Sequence, residues 1–153
     1  MKENNNIFNI VKWFLHADAM THKKLQKLLY FSFGIYLAKY NDKIDDIHDF
    51  LFENNFEAWV HGPVDPNVYE IFKNNGINLL FIEKPEKIEF DEKAQLVLNE
   101  TMKIYGMKSA DELENISHSQ SPWKNARIGL LPIEPSSNKL DDKDIYLTFK
   151  EII

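Results

Sequence analysis

A chain of 153 residues with no cysteine is long enough to bury a core without staples, and it excludes both disulfide scaffolds and thiolate chemistry. Its net charge of −6 and pI near 5.4 argue against holding nucleic acid on a broad basic face, which leaves DNA-binding regulation a minor alternative. No signal-like segment is present, and no run approaches the roughly 18 to 20 apolar residues of a membrane span, so a soluble cytoplasmic protein without a membrane partner is expected.

Between Asn6 and Ala19, Ile7, Phe8, Ile10, Val11, Phe14 and Leu15 make a wide helical stripe. Thr21 then offers an N-cap hydroxyl to a second helix running to Tyr40. Leu25, Leu28, Leu29, Phe33, Tyr36 and Leu37 recur there at helical spacing, and Tyr30, Phe31, Ile35 and Ala38 fill the gaps. A helix that is apolar all round has to be wrapped on every side, and each Leu or Phe covered is worth roughly 1.5 to 3 kcal/mol. This segment is therefore expected to be the central rod of the fold. Its first turns carry His22, Lys23, Lys24 and Lys27, cations at the already positive end of the helix, each costing on the order of 0.3 to 1 kcal/mol. Two readings stay open: the lysine stems lie along the surface with their heads in water, or they meet an anionic partner.

The acid-rich run Asn41 to Asp49 reads as a loop or a single frayed turn. Two short apolar runs then flank Glu53, Asn54 and Asn55, which predicts a hairpin turning at those three residues. Along its second arm Phe56, Ala58 and Val60 face one way, and Glu57, Trp59 and His61 the other. Gly62 to Pro66 forms a rigid corner, and Asp65-Pro66 starts a short helix with the carboxylate as N-cap. That helix is expected to bury Val68, Ile71 and Phe72 and to end at Asn74-Asn75-Gly76 in a left-handed cap. Leu79 to Ile82 and Lys87 to Phe90 allow a second hairpin.

Asp91 caps a helix to Tyr105 that buries Ala94, Val97, Leu98, Thr101 and Tyr105. Ser109 to Glu112 is a capping box for a helix ending near His118, and Ser121-Pro122-Trp123 starts another with Ser121 as cap. Trp123 and Arg127, the single arginine, share a face, so a guanidinium over an indole or one reaching a carboxylate is expected. A last helix begins near Asp142, with Leu140 and Ile145 spaced as a hydrophobic staple. The fold class is thus mainly α (α+β): a compact helical domain, 1–153, around a buried central helix with one or two short hairpins.

Chemistry is thin. No nucleophile elbow and no glycine-rich phosphate loop is present. The five histidines lack metal-site spacing, so no metal and no cofactor is expected. An enzyme of unknown substrate would have to assemble Glu57, His61, Asp65 and His118 as an acid–base site.

Three blocks, Lys24-Leu25-Gln26-Lys27-Leu28-Leu29-Tyr30-Phe31, then Glu57 to Val64 with Tyr69, then Ser117-His118 with Ser121-Pro122-Trp123, resemble the Panacea-domain family, which takes in SocA-like antitoxins and phage-associated GepA-type proteins. The resemblance implies an antitoxin, not an enzyme, that binds a cognate toxin encoded beside it. In the SocA-type variant it implies an adaptor handing the toxin to the ClpXP protease. The motif falls on Lys24, Gln26, Lys27, Tyr30, Glu57, Trp59, Gly62, Pro63, Val64, Tyr69, His118, Pro122 and Trp123. Candidate partner-binding residues are Lys24, Lys27, Tyr30, Trp59, His61, Asp65, Tyr69, His118, Trp123 and Arg127. The loop from Asn41 to Asp49 and the segment from Leu79 to Phe90 are where partner choice would vary.

Overall fold

The computed structural model describes residues 5–83 and 88–153. Helix α1 (Ile7–Ala17) is capped by the Asn6 side chain, and α2 (His22–Lys39) by Thr21, whose hydroxyl accepts the Lys24 N–H at 3.2 Å. From Leu25 to Ala38 every residue of α2 is buried, as a helix without a polar face requires. The wrapping comes from α1, α3 (Pro66–Phe72), α4 (Glu92–Tyr105), α5 (Ala110–His118) and α7 (Asp142–Ile152), together with strand β2 (Gly62–Val64). A short α6 (Ser121–Ala126) joins α5 to the side of α7. The architecture is mainly α with one small hairpin.

Close packing fixes the distance of α7 from the rod. A methyl group at Gly34 would overlap the ring of Phe149, so the helices meet where the rod has no side chain. Phe31 stacks on Tyr105 with centroids 4.1 Å apart, which ties α4 to the same rod. Asn41 anchors both ends of the acidic loop after α2. Asn41 is buried, donates to the carbonyls of Leu37 and Asp49, and accepts the N–H groups of His48 and Asp49.

The hairpin does not turn at Glu53 to Asn55. It pairs β1 (Glu57–Trp59) with β2, Glu57 against Val64 and Trp59 against Gly62, around Val60 and His61. Asn54 instead donates to the Asp142 carboxylate at the start of α7, and Phe50 and Phe52 wedge against Phe33 as coil. The chain returns along β1 at Asn138 to Leu140, with the Ala58 N–H on the Asn138 carbonyl at 2.8 Å and the Leu140 N–H on the Phe56 carbonyl at 3.0 Å.

Other expectations resolve similarly. Asp65 caps α3 by accepting from Asn67 and Val68, but the helix stops at Phe72 and a single 3-10 turn, Lys73–Asn75, follows, so the end is not the expected left-handed cap: Gly76 takes φ 56° with ψ −126°. Ile71, expected inside, is 55% exposed, because α3 presents only Val68 fully to the core. The cap of α6 is Gln120 and not Ser121, and its side chain makes no capping bond. Of the second expected hairpin, with its turn at 83–86, positions 84–87 lie outside the described residues. In its first arm Leu80 forms a two-way backbone pair with Met20. No helix among the described residues is long and apolar enough to cross a membrane.

Candidate functional site

The three sequence blocks meet behind the hairpin, through hydrogen bonds from side chains to the hairpin's backbone. Gln26, buried in α2, treats Asp65 as a neighbouring strand would: its amide donates to the Asp65 carbonyl at 3.2 Å and accepts the Asp65 N–H at 2.8 Å. The next residue, Lys27, donates from its ammonium to the Pro63 carbonyl at 3.1 Å. Gly62 sits between them with φ 105°, where a Cβ would fall 2.6 Å from Lys27 Cε and 2.8 Å from Ser117 Oγ. Both the backbone conformation and the lack of room therefore demand glycine.

From the other side, Trp123 Nε1 donates to the Trp59 carbonyl at 2.7 Å and Arg127 Nη1 to the Ala58 carbonyl at 2.8 Å. The guanidinium also donates to Leu131 and Glu134 carbonyls, and lies 5.2 Å from the Trp123 ring centroid. Of the two expected arginine contacts, the indole one is present. The anionic one is replaced by carbonyls, because loop 131–134 folds back over the buried guanidinium. His118 stacks on the Trp123 ring with centroids 3.9 Å apart, and Tyr69 meets Trp59 edge-on at 4.7 Å. Tyr30 donates to Gln120 Oε1 at 2.8 Å, linking the rod to the start of α6.

What this framework presents outward is a groove of about 550 Å³ lined by Glu57, Trp59, Val60, His61, Val64 and the loop Pro135 to Ser137. The Trp59 indole N–H donates to Glu57 Oε1 at 2.9 Å, which sets the ring against the acid on the solvent face. His61 is exposed and its Nδ1 lies 3.2 Å from Glu114 Oε1. The same carboxylate takes the Lys23 ammonium at 2.6 Å, and Lys23 also reaches Asp111 at 2.7 Å. Burial works against the ionised Glu114 carboxyl, yet Lys23 and His61 beside it hold its pKa below the ordinary value. For Lys27, burial pushes the ε-amine down to about 7 against the attraction of Glu114, and repulsion from Lys23 adds to the shift. Burial likewise lowers His118, although Glu114 and the Val60 carbonyl favour its charged form.

Neither open reading of the lysines describes all of them. Lys23 is ion-paired, Lys24 donates to the Gly106 carbonyl at 2.6 Å, and Lys27 is wholly internal. Among the candidate anchors, Lys27, Tyr30, Asp65 and Arg127 are buried and hold the framework. Tyr69, His118 and Trp123 are half-buried supports, Lys24 is half-buried on the α2 side, and Trp59 and His61 line the groove. Two features escaped the sequence reading. Glu114 gives no motif signal, and the Pro135 to Ser137 wall was legible only as a proline-bearing loop.

The acid–base set does not come together: Glu57 serves Trp59, His61 serves Glu114, Asp65 caps α3, and His118 stacks on Trp123. No hydrogen bond joins any two of the four, and among the described residues no three His, Asp or Glu side chains gather as a metal site.

These features define a small, mainly helical domain whose hairpin corner is pinned from behind by side chains of α2, α5 and α6. A family model described as "Antitoxin SocA-like, Panacea domain" matches residues 25–124, and the chain belongs to that family. A curated relative, Antitoxin SocA of Caulobacter vibrioides (strain NA1000 / CB15N), is 36% identical over 115 residues, covering 65% of this chain and 55% of that protein. The chain thus spans about half the length of the curated relative it matches. No solved structure matches it.

Proposed function

We propose that the protein is an antitoxin that neutralises a toxin encoded beside it by direct binding through the hairpin groove. One observation carries the reading: the three blocks that mark the family, far apart in sequence, converge on the back of a single solvent-facing hairpin. A corner fixed in this way meets a partner without paying much ordering entropy, which is how preorganised surfaces gain affinity. The half-exposed Trp59 supplies an aromatic anchor, with the Glu57 carboxylate that accepts from its indole beside it on the groove wall. Binding alone is sufficient for this role, and no bond-making step is assigned to the domain.

Co-expression with the neighbouring open reading frame tests the proposal. Growth is expected to fail with that frame alone and to recover when this protein is present. A neighbour that is harmless alone, or equally toxic in company, overturns it. Delivery to ClpXP is the finer form of the same reading. It predicts that the toxin's half-life shortens in the presence of this protein and is restored when ClpX is absent, whereas simple occlusion leaves the half-life unchanged.

A further inference from the structure

The groove around Trp59 has one carboxylate in its wall, and that carboxylate has no counter-ion. Its other lining side chains are apolar or neutral except His61, which is turned to Glu114. Glu57 Oε1 accepts the Trp59 indole N–H at 2.9 Å, and among the described residues no other donor reaches either oxygen. Lys139, opposite Glu57 in the strand pairing, forms no ion pair with it and lines a different cleft. A charge tied to the edge of an indole, between apolar walls, calls for a particular ligand. A cation answers the charge, and tryptophan is the ring that attracts a cation best. A guanidinium meets both groups at once, because its flat face lies on an aromatic ring while its N–H groups fork onto a carboxylate; an ammonium is a point charge without that fork. The same corner holds an internal example of the first half, Arg127 lying 5.2 Å from the Trp123 centroid.

The loop that supplies the Pro135 to Ser137 wall also carries Ile128, Leu131 and Ile133, which are 79%, 67% and 82% exposed. Arg127 braces this loop from within through the Leu131 and Glu134 carbonyls. Three aliphatic side chains on a held backbone, in the segment leading to the groove wall, are surface for a protein to cover and not for a free small cation. We propose that the groove is an arginine subsite: one arginine side chain of a protein partner lays its guanidinium against the Trp59 ring and donates to the Glu57 carboxylate, while the aliphatic loop packs on apolar surface of the same partner. The inference rests on the antitoxin reading for who that partner is, and on the groove alone for the chemistry that recognises it.

Proton–nitrogen NMR of the full chain, with Nα-acetyl-L-arginine amide as the probe, tests the subsite. The indole resonance of Trp59 is expected to shift saturably with millimolar affinity, as befits a single side chain, while that of Trp13 stays in place. Nα-acetyl-L-citrulline amide has nearly the same shape without the charge and is expected to bind more weakly. Glu57→Gln keeps an oxygen to accept from the indole and removes only the charge, so it should weaken arginine binding about fivefold and leave citrulline binding unchanged. A Trp59 resonance that does not move overturns the proposal. So does equal binding of arginine and citrulline probes, or arginine binding that is unchanged in Glu57→Gln. Micromolar affinity for the free probe would make the groove a small-molecule site and overturn the assignment to a protein side chain. The two readings fail separately: a harmless neighbouring frame defeats the antitoxin reading and leaves the titration as it was, whereas a failed titration defeats the arginine subsite and leaves rescue by the wild type standing.

Discussion

The ammonium of Lys27 and the carbonyl oxygen of Pro63 lie 3.1 Å apart in the interior, 36 residues apart in sequence, and no ion pair joins Lys27 to any carboxylate among the described residues. One carbonyl replaces the hydration of a full charge poorly, which is why the amine loses its proton near pH 7 instead of near the ordinary lysine value of 10.5.

A pH dependence follows with a definite sign. Between about pH 7 and 10.5 the unfolded chain holds a proton on Lys27 that the folded chain has released, so stability rises with pH across that window. Below the folded value both states are charged and the full desolvation cost is present. Burial raises the Tyr30 pKa well above 10, and unfolded-state tyrosine ionisation then opposes folding, so the rise is best read below pH 10. Urea unfolding is expected to give an upward slope for the wild type, flattened in Lys27→Met, and Lys27→Met is expected to be no less stable at pH 7. Equal slopes in the two proteins would contradict this account.

Arg127 is expected to be the costliest single loss at the corner. Its guanidinium holds carbonyls of Ala58, Leu131 and Glu134, groups that would be left without partners in Arg127→Ala. Charge-assisted bonds of this kind and the desolvated carbonyls behind them put the cost at about 2 to 4 kcal/mol in chemical denaturation. Arg127→Lys, which lacks the fork, should recover less than half of it.

Gly34 gives the opposite of its helix propensity. Alanine in a helix interior is ordinarily favoured over glycine by up to about 1 kcal/mol. Here its methyl would overlap the Phe149 ring, and overpacking of that kind costs about 1 to 3 kcal/mol. Gly34→Ala should therefore lower the thermal midpoint, and adding Phe149→Leu should return part of the loss by making room between α2 and α7. A Gly34→Ala protein more stable than the wild type would show that the helices separate freely.

For the groove, Trp59→Ala and His61→Ala should weaken toxin binding about tenfold or more, the loss expected of central anchors. His61 is exposed, so His61→Ala should do this with no change in thermal midpoint. Lys103→Ala, on the exposed side of α4, serves as the comparison and should bind as the wild type does. Isothermal titration against the purified toxin reads all three, and wild-type affinity in both groove variants would move the docking surface elsewhere.

Much of the fold was legible because its determinants are local. The caps at Thr21, Asp65, Asp91 and Ser109 act within three residues, and the stripe of α4 repeats within a turn, so both read directly from the chain. The sequence by itself determined that α2 would be a rod wrapped on all sides, since no rotation of that helix offers water a polar face. Its three family blocks also fixed the family. Only tertiary structure decided where the hairpin turns, because Glu53 to Asn55 has turn composition but Asn54 is claimed by Asp142 at the start of α7. Only tertiary structure turned Lys27 and Arg127 from surface charges into internal braces, since their acceptors are backbone carbonyls on other elements and a carbonyl carries no residue identity. Ile71 was expected inside on periodicity alone, yet the core met one side of α3 and left that face to a cleft it shares with Phe8. Periodicity says which side of an element is apolar; what comes to cover that side depends on residues far along the chain.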